Sequence, residues 1–203
     1  LKKKHGARIH LYVRGRVEED AYRKNNTDGL WDTVTNGSVH IPAIQEEGLD
    51  EKEVTARAWR MEELVGEPIN RLALPNRQMG HAFAAGAWRH PVAPFVARAS
   101  NNQLLHALAE SVAFWEREIR EKSLGLVMDG SKFMAATARA LGVPYRRLTI
   151  ARFETYCYWA VNEYFDHPGL KETYDALENW PEAEIGGSYA LAAQKYEIEH
   201  HAR

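Results

Sequence analysis

A chain of 203 residues, 45% hydrophobic and 27% charged, has the size of an ordinary domain and enough apolar surface to bury a core, which excludes disorder throughout. Its formal net charge of −2 argues against a polyanion as the main partner, because nucleic-acid binding draws on clustered Lys and Arg. No run approaches the roughly 20 consecutive apolar residues that cross a bilayer, so no transmembrane span is predicted. Charge is unevenly placed: from Phe153 onward ten Asp and Glu face three Lys and Arg, a local −7, which leaves +5 on the preceding part and favours a charge-complementary contact.

The first residue is Leu1 and not a methionine, so a targeting peptide has been removed, the N-terminus has been trimmed or the first residues are missing; the first of these carries the expectation of an organellar, mitochondrial protein. Near the start, Ile9, Leu11 and Val13 alternate with Arg8, His10, Tyr12 and Arg14, the period of a strand with one half-buried face. A second extended region runs through Trp31, Val34, Val39 and Ile41, with Asn36-Gly37 as its two-residue hairpin turn and Pro42 confining it to an edge. Two or three short strands are too few for a core of their own. Residues 1–49 are therefore predicted to be an extended arm lying on the body or on a partner, and residues 50–203 a helical domain.

From Asp50 the period becomes helical. Asp50 and Glu53 resemble a capping box ahead of Val54, Ala58, Met61, Leu64 and Val65, with Gly66 and Pro68 as the stop. Residues 76–89, rich in Ala and Gly around Phe83 and Trp88, predict a close-packed helix that Pro91 and Pro94 end. The clearest helix spans 101–122, with Leu104, Leu108, Val112, Trp115 and Ile119 on one face and a charged end. Ser131 caps a further helix through Phe133, Met134, Ala138 and Leu141, closed by Gly142.

After Pro144 the density of apolar residues up to Phe165 predicts a helix buried on most sides, with Cys157 as a small buried hydrophobe. More acidic helices are predicted over 170–179 and 188–200. The fold class expected is mainly α, an irregular helical bundle of about five to seven helices with an extended N-terminal arm that holds two or three short strands.

Signatures of chemistry are sparse. The sequence has no Gly-x-Ser-x-Gly elbow, no His-Glu-x-x-His, no Cys-x-x-Cys and no phosphate-binding glycine loop, so no catalytic residue and no cofactor are predicted. The metal candidates are His106 with Glu110, four apart on one helix, and Glu197 with His200, which has the Glu-x-x-His spacing of one half of a di-iron bundle. Residues 137–148 resemble the core of a helix-turn-helix, and between Lys132 and Arg152 five basic residues occur with no acidic one. Arg139, Arg146, Arg147 and Arg152 thus form a candidate contact for protein or nucleic acid.

The function expected from these features is a structural or accessory subunit of a larger multi-protein assembly, with other protein subunits as partners rather than catalysis. A helix-turn-helix nucleic-acid-binding protein is the second expectation, and a helical-bundle enzyme or metal carrier the third.

Overall fold

The computed structural model describes residues 2–73, 98–150, 157–167, 169 and 172. The chain divides into two compact units, Leu1–Tyr145 and Arg146–Arg203. The predicted helices over 76–89, 170–179 and 188–200 lie outside the described residues, apart from Glu172.

In the first unit the core is organised by α4 (Glu51–Val65), α6 (Asn101–Glu121) and α7 (Lys132–Ala140), each packed on the other two. Their starts follow from side-chain caps that satisfy otherwise orphaned backbone donors. The Asp50 carboxylate accepts from the Glu53 N–H at 2.9 Å. Ser100 and Gln103 form a reciprocal capping box for α6, and Ser131 accepts from the Met134 N–H for α7. Gly66 ends α4 at φ +76, a left-handed conformation that costs glycine little. The buried stripe of α4 is Val54, Ala58, Met61 and Val65, and that of α6 includes Leu104, Leu108, Val112, Trp115 and Ile119. Each fully buried Leu or Val contributes about 1.5–3 kcal/mol. Two short helical segments, α3 (His40–Ala43) and α5 (Ile69–Ala73), add Ala43, Ile44, Ile69 and Leu72 to this core.

The N-terminal region carries α1 (Lys2–His5), β1 (His10–Val13), α2 (Arg16–Lys24) and β2 (Thr33–Asn36). The expected hairpin at Asn36-Gly37 does not form, because the chain beyond it enters α3; β2 pairs instead with β1, in parallel, in register from His10↔Thr33 to Val13↔Asn36. Parallel strands require a crossover, and α2 supplies it. This helix escaped the apolar-periodicity reading because none of its residues is buried; Val17 is 84% exposed. Its Glu18 and Glu19 in the first turn and Arg23 and Lys24 in the last complement the helix dipole. Asn36-Gly37 closes β2 instead of turning a hairpin, and a Cβ on Gly37 would sit 3.2 Å from Trp115 Cη2, so its lack of a side chain lets the strand end approach α6. The expected extended stretch through Ile41 is replaced by α3, with Pro42 inside a single helical turn.

The stretch after Pro144 departs furthest from the predicted helix. Where a long buried helix is predicted, the chain forms β4 (Tyr145–Ile150), which pairs antiparallel with β5 (Cys157–Ala160). Another strand, β3 (Val127–Met128), precedes α7. The irregular bundle of about five to seven helices is thus overturned in favour of fewer substantial helices combined with two small sheets. The physical reason is an ambiguity of pattern: a dense apolar run reads equally as a buried helix or as strands with apolar side chains on both faces. Here Thr149, Ile150 and the aromatic run ending at Trp159 are residues that suit a pleated surface.

Candidate functional site

Antiparallel register decides which side chains of the β4–β5 hairpin share a face. Leu148 lies opposite Trp159, and Ile150 opposite Cys157; directly opposed residues project to the same side. On this side Leu148 is 57% exposed, Ile150 73% and Trp159 47%, and Cys157 is exposed as well. Arg146, two residues before Leu148, extends the same row and is exposed. Cys157 was expected to be a buried hydrophobe; the change from helix to strand turns it outward.

The opposite side of the hairpin is occupied. Arg147 lies opposite Ala160 and Thr149 opposite Tyr158. The Tyr158 hydroxyl donates to the Phe165 carbonyl at 2.9 Å, the Arg147 guanidinium stands 4.9 Å from the centre of the Phe165 ring, and Ala160 is fully buried. The segment that covers this side is shaped by Asn162, whose Oδ1 accepts from the Tyr164 and Asp166 N–H groups. One face of the hairpin is therefore covered by its own following loop, and the other presents four exposed apolar or weakly polar side chains.

A second cluster, in the first unit, ties the N-terminal strands to α6. Tyr12 of β1 packs edge-on against Phe114 and Trp115, and its hydroxyl donates to Glu118 Oε2 at 2.9 Å. The Lys122 ammonium donates to the same carboxylate oxygen and to the Tyr12 hydroxyl at 3.1 Å. Burial, together with the hydrogen bond to Glu118 and its charge, raises the Tyr12 phenol far above its ordinary range, so it stays protonated as a donor. Next to it, His10 Nδ1 is 2.9 Å from Thr33 Oγ1 while its buried Nε2 has no hydrogen-bond partner. Desolvation, with the charges of Lys122 and Arg8, pushes His10 below its usual value. This arrangement ties β1 to α6.

The metal candidates take other roles. His106 Nε2 lies 3.0 Å from Glu46 Oε2, and Glu110 pairs with Arg57. Although four apart on α6, the two residues thus face different neighbours. Glu197 and His200 lie outside the described residues, and among the described residues no group of three His, Cys, Asp or Glu is placed to hold a metal ion.

The described basic candidates sit on α7 and β4. Arg139 of α7 reaches Glu67 at 2.9 Å and the Val65 carbonyl at 3.3 Å within the first unit. Arg146 and Arg147 belong to the second unit and point to opposite sides of β4; Arg152 lies outside the described residues. The helix-turn-helix predicted over residues 137–148 does not form, because the element after the Gly142 turn is β4 and not a second helix. The exposed hairpin face went unread in the sequence, although Leu148 and Ile150 at alternate positions beside a β-branched Thr149 carry its signal.

Fold and site together define a mixed α and β protein with a helical core and an open apolar sheet face. No family model, curated protein or solved structure matches the chain. Among the described residues no helix is long and apolar enough to cross a membrane.

Proposed function

We propose that this protein is a structural or accessory subunit of a larger multi-protein assembly, and that the open face of the β4–β5 hairpin docks on a neighbouring subunit. The observation that carries this reading is the one-sidedness of the hairpin. Loop 162–167 covers one face, while Leu148, Ile150 and Trp159 remain 57%, 73% and 47% exposed on the other. A contiguous exposed apolar patch with a polar rim is the usual mark of an interaction surface. Trp is also among the residues that most often dominate binding energy.

The test is the native mass of the endogenous protein in a gentle, nuclease-treated extract, compared with a variant carrying Leu148→Glu and Ile150→Glu. The reading expects the natural chain in a large nuclease-resistant complex of proteins and the variant released to the mass of the chain alone. A natural chain that runs as a free monomer overturns it.

A further inference from the structure

In the first unit, α4 and α6 flank a cleft of about 470 Å³, within the range of small-ligand sites. Its apolar surface comes from Ala56 and Ala113 over the buried Met61, and its polar rim from Arg57, Arg60, Glu110, Glu116 and Arg117. The two carboxylates are engaged: Glu110 with Arg57, and Glu116 with Arg120 at 3.0 Å. Arg60 from α4 and Arg117 from α6 have no carboxylate partner among the described residues; the Arg117 guanidinium rests 5.6 Å from the centre of the Phe114 ring. The cleft is thus left with two uncompensated guanidinium groups, one from each helix.

We infer that this cleft binds a phosphate monoester carried on a small apolar body. A guanidinium is a planar fork that donates two parallel hydrogen bonds. A carboxylate, with its two oxygens in one plane, is well served by a single fork. The three terminal oxygens of a phosphate monoester can accept from two forks that approach from different helices. Its charge of nearly −2 matches the two cations, while the methyl groups of Ala56 and Ala113 offer a surface for the ester group. The existing Arg57–Glu110 and Glu116–Arg120 pairs hold neighbouring charges in place, so the site does not have to break an ion pair to receive the anion.

The experiment is calorimetric titration of the full chain with phenyl phosphate, with benzoate and inorganic phosphate as parallel arms. Saturable binding of phenyl phosphate is expected, weakened about tenfold or more by Arg60→Ala and by Arg117→Ala separately, as losing a charged hydrogen-bond donor implies. Arg16→Ala, in the exposed helix α2, should leave it unchanged. Both cleft arginines are exposed, and circular dichroism verifies that each variant keeps the fold, Arg117→Ala included, whose guanidinium rests on the Phe114 ring. Benzoate bound as tightly as phenyl phosphate overturns the ligand class, and inorganic phosphate bound as tightly overturns the role of the apolar surface. No saturable binding, or binding indifferent to both variants, overturns the site. None of these outcomes bears on the hairpin face, which lies in the other unit.

Discussion

In α6, Leu104, Leu108 and Val112 have no exposed surface, whereas in β4 and β5 Leu148, Ile150 and Trp159 keep between 47% and 73% of theirs. The side chains are of similar kind, so the difference comes from the elements that carry them. A helix with one apolar stripe needs one neighbour, and α6 finds α4, α7 and α3 around it. A sheet of short strands has two faces, and a single short loop can cover only one. An apolar stripe therefore closes into the core when it is wound on a helix, and apolar side chains on both faces of a strand pair leave one face exposed.

The comparison can be broken first at the core. Leu108→Ala removes a side chain with no exposed surface and should cost about 2–5 kcal/mol, read from the shift of a chemical denaturation midpoint. A loss below 1 kcal/mol would mean that α6 is not the centre of packing.

Next in size is the buried polar link between β1 and α6. Glu118→Ala strips an acceptor from the Tyr12 hydroxyl and the counter-charge from Lys122, and about 1–3 kcal/mol should be lost. A double-mutant cycle with Tyr12→Phe isolates their coupling, which should be well above zero. Strict additivity would detach the N-terminal strands from the energetics of the core. At the helix start, Asp50→Ala should cost about 1 kcal/mol by the same measurement, the usual effect of losing an N-cap.

A smaller effect follows from His10. Its folded value lies below the ordinary 6.5, so the unfolded chain takes up a proton first as pH falls. The stability it contributes is complete above about pH 6.5 and is lost as pH drops from there toward the folded value. Denaturation midpoints at a series of pH values should fall less steeply over that window in His10→Gln than in the natural chain; equal slopes would remove His10 from the linkage.

Smallest of all is the stability effect of Ile150→Ser, expected within about 0.5 kcal/mol because the side chain is largely in water. The same substitution should reduce recovery of the assembly in the native-mass experiment. A large loss of stability instead would show that this face is already packed in the chain alone.

Much of the first unit is legible in the sequence. The caps at Asp50, Ser100 and Ser131, the stop at Gly66 and the helical spacing from Val54 to Val65 and from Leu104 to Ile119 act within one or two turns, so local chemistry specifies those helices and the face each buries. The alternation around Leu11 and Val13 likewise announces β1. What the sequence does not determine by itself is pairing. Whether β1 meets β2 in parallel, whether the aromatic run before Val161 winds or extends, and which face of a hairpin the next loop covers depend on contacts between residues far apart in the chain. The Arg60 and Arg117 pair shows the same limit, since a spacing of more than fifty residues carries no local period and only the packing of α4 on α6 brings the two to one cleft.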